Sequence, residues 1–297
     1  MKSTLLLSAL LLATSASATC VKPRDEDYTL LAATAFTQQI NEQEFLLNRF
    51  CFQPTMKNKF EMGPVVMVSS VPGLKSLEKN WNMNFVEKGV DVFGSDLFTL
   101  RLAQNEPKTY FQETFNRANK MINTRFGEKS TPSLSLRDLE KSTPELLDYL
   151  SDSYSKTFNT TVNKFGNFAL MYAVANNYPQ YIDKSLGGTR DKKLFMKYNN
   201  SGFNPLHAAF SEKLKGKDTK ALSDIIIALP TSYFVRSTIR GYDYFVFADV
   251  FKENNPYLHK LLKEKYKFNT TVKMNFQHFL DTKKSLQDLD YGYSDKD

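Results

Sequence analysis

Glycine recurs along this 297-residue chain at intervals that a helix-pair repeat would produce. The positions are Gly63, Gly94, Gly127, Gly166, Gly202 and Gly241, in steps of 31, 33, 39, 36 and 39 residues. Each glycine precedes a short apolar stretch with helical spacing, and a second helical stretch follows after a few polar residues. Such a period is typical of stacked helix pairs, which bury their apolar faces against one another. The pattern predicts an all-α solenoid, an architecture that usually binds partners.

The sharpest copy is residues 199–209, which read NNSGFNPLHAA. The Asn204 side chain can cap a helix, and Pro205 fits the first helical position because no backbone donor is needed there. This segment resembles the ankyrin repeat, whose first helix opens with Thr-Pro-Leu-His-x-Ala after a glycine turn. Asn204 stands in the place of the threonine. The resemblance implies a structural, hydrogen-bonding role for His207 and no catalytic one.

The other copies are weaker but remain in phase. Apolar helical runs follow Gly94, Gly166 and Gly241, whereas the Thr131-Pro132 pair after Gly127 arrives two residues late. Extending the phase places a first helix near residue 27 and a last helix that starts near Phe276. The sequence therefore predicts an ankyrin-repeat solenoid of about seven helix-turn-helix repeats over residues 27–289, with a C-terminal capping helix. Residues 19–26 are then an N-terminal segment and residues 290–297 a flexible tail.

The first 18 residues have the features of a signal peptide. Lys2 supplies a positive charge, residues 5–13 are an apolar run, and Ala16-Ser17-Ala18 is a small-residue cleavage site. No later stretch reaches the ~18 consecutive apolar residues of a membrane-spanning helix. The sequence thus predicts a secreted or periplasmic protein.

Export bears on the two cysteines, Cys20 and Cys51. An even number of cysteines in an oxidising compartment favours a disulfide, here between the N-terminal segment and the first repeat. The alternative is a lipoprotein in which Cys20 carries the lipid and Cys51 is a free thiol. Residues 17–19 lack the leucine usually found three places before a lipidated cysteine.

Charge and glycosylation motifs say less about function. The formal net charge is +7, and its basic residues are spread along the chain, so an acidic protein or membrane headgroups fit better as partners than nucleic acid does. Asn159, Asn199 and Asn269 lie in Asn-x-Ser/Thr sequons and would accept glycans on a eukaryotic secretory route.

The turn before the first helix of each predicted repeat is here called a finger, and the fingers are the candidate functional region. The three histidines at 207, 259 and 278 fall in different predicted repeats, and no metal or nucleophile motif is present, so we predict no catalytic residue, metal or cofactor. The resemblance implies that a partner protein meets the fingers, whereas Phe93 and Phe165 are expected to fold inward between repeats. The candidate contact residues are Lys197, Tyr198, Asn199, Arg240, Tyr242 and Asp243. The predicted function is an exported protein-binding adaptor or secreted effector. The alternatives are an enzyme with an unrecognised active site on this scaffold and a lipid-anchored envelope protein.

Overall fold

The computed structural model describes residues 20–53, 64–82, 95–103, 109–127, 136–153, 162–186 and 191–290. Several sequence predictions lie outside these ranges: the signal peptide, Gly63, Gly94, Phe93, the sequon at Asn159 and the tail from residue 291 onward. Among the helices described, none combines the length and apolar character needed to cross a bilayer.

The described chain is mostly helical, as predicted. The α-helices are α1 (Asp25–Phe36), α2 (Ile40–Arg49), α3 (Pro64–Met67), α4 (Val71–Trp81), α5 (Leu97–Ala103), α6 (Thr109–Phe126), α7 (Leu136–Ser153), α8 (Ala169–Ala175), α9 (Ile182–Ser185), α10 (Pro205–Ala208), α11 (Lys220–Ile227), α12 (Thr231–Arg236), α13 (Tyr244–Val250), α14 (Pro256–Tyr266) and α15 (Phe276–Asp290). Short 3₁₀ helices occupy Pro179–Tyr181, Lys192–Met196 and Glu212–Leu214. Strands β1 (Thr238–Ile239) and β2 (Tyr242–Asp243) pair antiparallel in a small hairpin.

The helices pack in two rows. In the first row α1, α3, α5, α8, α10 and α13 each contact the next. In the second row α2 contacts α4, α4 contacts α7, and α7 contacts α9. Helix α11 continues this row: it contacts Pro179–Tyr181, which leads directly into α9, and it also contacts α14. Within the described residues, these contacts arrange most of the helices in two rows.

Local sequence signals set where these helices begin. The side chains of Ser70, Asn204, Asp243 and Asn255 each accept a hydrogen bond from a backbone amide in the first turn of the helix that follows. Such caps satisfy amide groups that have no partner within the helix. The cap predicted at Asn204 is confirmed, and its side-chain oxygen lies 3.2 Å from the amide nitrogen of His207.

The first row carries most of the core. Every residue of α8 is buried, and so are nine of the twelve residues of α1. A helix that is apolar on all sides requires neighbours on all sides. Side chains also tie adjacent pairs together: the Tyr244 hydroxyl donates to the carbonyl of Leu206 at 3.0 Å, and the Asn255 amide donates to that of Ala209 at 3.0 Å.

Helix α6 departs from the predicted repeat. A helix pair was expected to open at Gly127, but α6 occupies 18 residues immediately before this glycine. Gly127 ends α6 with a φ of 84°, and its amide bonds the carbonyl of Asn123. A glycine with positive φ closes a helix as readily as it makes a turn before one. Residues 128–135, where the predicted pair would begin, lie outside the described ranges, so the expected number of about seven pairs stays a prediction.

The contacts of α6 explain its presence. Helix α6 packs against α1. Its Asn119 accepts a hydrogen bond from the Gln39 side chain at 3.1 Å, and its Phe126 ring meets Phe45 edge to face at 5.6 Å. Helix α6 therefore covers α1 and reaches Phe45 of α2.

The last helix begins at Phe276, where the sequence predicted it. Its contacts are not those of a cap that packs only on the final pair, because α15 reaches back to α8 and to Glu212–Leu214. Thr282 and Leu286 of α15 are fully buried.

The predicted disulfide between Cys20 and Cys51 is present. It holds the N-terminal segment beside the end of α2, where Val21 and Phe50 form a parallel bridge. The Val21 amide donates to the carbonyl of Arg49 at 3.0 Å, and the Cys51 amide donates to that of Val21 at 2.9 Å. The disulfide and these backbone bonds together attach the N-terminal segment to the end of α2.

We expect the double variant Cys20→Ser, Cys51→Ser to lose about 3 kcal/mol of unfolding free energy, since the bond closes a loop across a sequence separation of 31 residues. Urea denaturation followed by circular dichroism measures the loss. Wild-type protein in reducing agent is the control and should match the double variant. Thiol titration of the denatured, unreduced protein should find no free thiol. One free thiol would contradict the disulfide and favour lipidation of Cys20.

Candidate protein-binding surface

Two fingers share one hydrogen-bonding pattern, each built around an asparagine. Asn163 Oδ1 accepts from the amides of Phe165 at 3.1 Å and Asn167 at 2.9 Å, and the Asn163 amide bonds the carbonyl of Asn167. The side-chain oxygen of Asn199, 36 residues later, likewise accepts from the amides of Ser201 at 3.0 Å and Phe203 at 2.8 Å. An asparagine side chain that bonds nearby backbone stabilises a tight turn. The sequence period thus corresponds to a repeated local structure.

Glycine completes each of these turns. Gly166 and Gly202 have φ values of 77° and 79°, a left-handed conformation that other residues adopt only with strain. Gly166 is also crowded, because a Cβ atom there would lie 2.9 Å from the backbone nitrogen of Asn200. A Cβ atom on Gly202 would meet nothing within 4 Å.

The two fingers are bonded to each other. The Asn200 amide donates to the carbonyl of Phe165 at 3.0 Å, and its side chain donates to that of Lys164 at 2.8 Å. The Asn199 side-chain amide donates to Asn167 Oδ1 at 2.8 Å. These bonds satisfy polar groups at the edge of the core, so the fingers form one ladder.

The third finger is the β1–β2 hairpin. Arg240 and Gly241 form its turn with φ values of 51° and 83°, which suit a two-residue hairpin loop. The Tyr198 hydroxyl bonds the hairpin region, accepting from the Thr238 amide at 3.3 Å and lying 3.4 Å from the carbonyl oxygen of Arg236. The three fingers are therefore continuous.

Of the predicted contact residues, Tyr198 and Lys197 lie on this ladder with accessible surface. Tyr198 is 39% exposed. The Lys197 ammonium lies 5.0 Å from the centre of the Phe168 ring, and partial burial lowers the pKa of this lysine. Both side chains could contact a partner.

Asn199, also a predicted contact residue, makes its bonds within the fold. Its side chain is buried, and both its oxygen and its nitrogen are used within the ladder. Its amide is therefore a structural group, and the same burial removes it as a glycan acceptor in the folded protein. Asn269, the other described sequon, is exposed.

Asp243, Arg240 and Tyr242 are present on the hairpin but already have partners. Asp243 caps α13 by accepting from the amides of Phe245 and Val246, each at 2.9 Å. The other two meet the C-terminal region. Arg240 lies 3.9 Å from Asp281, and the Tyr242 hydroxyl accepts from the amide of Asn275 at 3.1 Å.

Phe165 was expected to fold inward, and this prediction is wrong. Its side chain is 41% exposed at the tip of its finger, beside the exposed Lys164, whose ammonium lies 5.2 Å from the ring centre. The sequence did contain a signal for this exposure. Phe165 directly precedes the turn glycine Gly166, just as Ser201 directly precedes Gly202. We name the finger surface by its accessible aromatic and basic residues: Lys164, Phe165, Lys197, Tyr198, Arg240 and Tyr242.

His207 supports this surface from beneath. It is fully buried, and its Nδ1 accepts from the backbone amide of Asn204 at 3.2 Å, so Nε2 carries the proton. The Nε2 group has no hydrogen-bond partner in the described structure. Rings of Tyr198, Phe203 and Phe247 lie 4.8–6.3 Å from the imidazole. This burial lowers the pKa of His207 to about 3.

A carboxylate–histidine cluster lies near the C-terminus. Asp249 Oδ1 is 3.0 Å from His259 Nε2, and Asp249 Oδ2 accepts from the Thr270 hydroxyl at 2.8 Å. Burial alone would raise the pKa of Asp249, but the bonds from Thr270 and His259 outweigh it and lower the pKa. Because the hydroxyl donates to the carboxylate and not to the histidine, the cluster does not activate a nucleophile. Its effect is to hold the segment after α14 against α13.

No family model matches this chain, and no curated protein is significantly similar to it.

Alanine at two glycines tests the ladder. Gly202→Ala should cost about 1–2 kcal/mol, because alanine there is strained only by the positive φ. Gly166→Ala should cost about 3 kcal/mol, because its Cβ also meets the next finger. Urea denaturation of both variants measures the difference. Equal losses would contradict the stacking of the two fingers.

His207 should make stability depend on pH. Its folded pKa of about 3 lies below an unfolded value near 6.5, so the unfolded chain binds the proton more tightly. The stability from this residue is therefore complete above pH ~6.5 and is lost as pH falls, by about 1.4 kcal/mol per unit. Denaturation at pH 7 and pH 5 should show this loss in wild type and a smaller one in His207→Gln. Equal losses in the two proteins would contradict it.

Proposed function

We propose that this protein is an exported protein-binding module with ankyrin-type architecture, which holds its partner through the finger surface. The observation that carries the proposal is the ladder of three bonded fingers, which presents Phe165, Tyr198 and Arg240 from three successive repeats. Aromatic and arginine side chains are those most often found at the centre of protein interfaces. Their spacing along a rigid scaffold favours a protein partner.

The ankyrin-type proposal rests on local geometry. A glycine turn precedes α8, α10 and α13, and a polar residue caps both α10 and α13. His207 bonds the amide of Asn204, which fits the structural role that the ankyrin resemblance implies. Two rows of helices are what a stack of helix-turn-helix repeats would produce.

Charge indicates the kind of partner. Lys164, Lys197 and Arg240 supply three basic groups across the finger surface, and two lysines lie against aromatic rings. An acidic protein segment with apolar side chains would pair with both features. We therefore propose a partner that is acidic where it meets the finger surface. The disulfide supports an exported location, since such bonds persist in oxidising compartments.

A photo-crosslinking amino acid at Phe165 tests this function in the cells that export the protein. The matched control places it at Phe45, which is 47% exposed on α2. We expect one discrete protein adduct from position 165 and none of that mass from position 45. Mass spectrometry identifies the adduct, and binding of the purified pair then gives a Kd.

Charge reversal tests the same surface in solution. Lys164→Glu with Phe165→Ser should raise the Kd at least tenfold. The control, Arg49→Glu with Phe45→Ser, removes one basic and one aromatic side chain from α2 and should change the Kd less than twofold. No adduct at 165, or equal effects of the two double variants, would contradict the proposed function.

A further inference from the structure

Helix α15 packs on helices beside the finger surface and contacts one of its three fingers, the hairpin. It packs against α8 of the first row and against Glu212–Leu214. Its Phe279 ring stacks on Phe251, at the end of α13, with centres 5.7 Å apart and planes 15° from parallel. Its N-terminal end meets the hairpin finger, where Tyr242 lies 3.3 Å from His278 Nδ1. The helix therefore spans from the third finger across three repeats.

One stripe of α15 makes these contacts. Phe279 is half-buried and Thr282 and Leu286 are fully buried, at a spacing of three and four residues. Lys283 and Gln287 flank the stripe, and both reach the Glu212 carboxylate, at 3.7 Å and 3.1 Å. This is the pattern of an amphipathic helix in a groove.

The fit of α15 is incomplete. The Thr282 hydroxyl is buried without a hydrogen-bond partner in the described structure, which opposes docking. Phe276 and Leu280 of the same helix are 75% and 41% exposed. The ion pairs to Arg240 and Glu212 are 3.9 Å and 3.7 Å long and partly exposed, so they add little.

We infer that α15 is a displaceable internal ligand, and that the surface beneath it takes an amphipathic helix of the partner protein. The partner helix would place apolar residues at the positions of Phe279, Thr282 and Leu286, with a basic residue or an amide to meet Glu212. An apolar residue in place of Thr282 would remove the unsatisfied hydroxyl, so such a helix would displace α15. This inference rests on the proposed function, whose partner it describes.

Release of α15 leaves the segment before it attached. The bond from Thr270 to Asp249 holds the chain after α14, so the helix stays tethered near its groove. Residues 271–275 have no regular secondary structure and connect this anchor to α15. A tethered helix competes at a high effective concentration, which would limit binding to partners that fit better.

Hydrogen exchange of the full chain tests whether α15 opens. We expect its amides to exchange faster than those of α14, because α15 opens without global unfolding. Thr282→Val keeps the shape and removes the unsatisfied hydroxyl, so exchange of α15 should slow about tenfold. Leu286→Ala should speed it about thirtyfold. Leu280→Gln, an exposed change on the same helix, is the control and should leave the rate within about twofold.

A peptide of residues 273–290 carrying Thr282→Val, labelled with fluorescein, tests the groove itself. It should bind the Leu286→Ala protein at least tenfold more tightly than the Thr282→Val protein, whose own helix stays docked. Equal binding to both proteins, or α15 exchange as slow as that of α14 in wild type, would overturn the inference.

These tests need no external partner, so a failure of this inference can be distinguished from a failure of the proposed function. If α15 opens and the peptide binds but position 165 yields no adduct, the groove stands and the proposed function fails. If position 165 captures a partner while α15 never opens, the finger surface stands and α15 is a permanent part of the fold. The latter result would overturn this inference alone.

Discussion

The fingers depend on asparagine side chains that replace missing backbone partners at the edge of the core. Asn163 and Asn199 each close their own turn through two amides. The Asn199 side chain also bonds the preceding finger. A buried amide group without a partner costs free energy comparable to a lost hydrogen bond, so these side chains fix the height and spacing of the fingers. The register of α8 and α10 follows from them.

Several elements could be predicted because local chemistry decides them. Gly166, Gly202 and Gly241 all have positive φ, and Asn204 caps α10 as its sequence indicates. The start of α15 at Phe276 also agrees with the sequence. In each case the signal and the structure lie within a few residues of each other, so no distant contact could override it.

Long-range packing decided what the sequence did not predict. Gly127 ends a long helix, yet it has a positive φ like the finger glycines. The sequence around it therefore could not show whether this glycine ends a helix or makes a finger turn. The exposure of Phe165 depends on how the next finger stacks. The position of α15 depends on Phe251 and Glu212, which precede its first residue by 25 and 64 positions. Such contacts leave no periodic signal.

The proposed partner and helix α15 would occupy neighbouring parts of one face of the protein. Basic and aromatic residues from three fingers form one edge of the face, and α15 covers the helices beside it. The hairpin finger links the two, because its Tyr242 and Arg240 already contact α15 and a partner at the hairpin would compete for those groups. Occupancy by the protein's own helix would then set a threshold for binding.

The most direct test is hydrogen exchange of the full chain with and without its crosslink-identified partner. We expect slower exchange in the fingers, at residues 163–167, 198–203 and 238–243, together with faster exchange in α15. Slower exchange confined to second-row helices such as α11 and α14, with α15 unchanged, would contradict it.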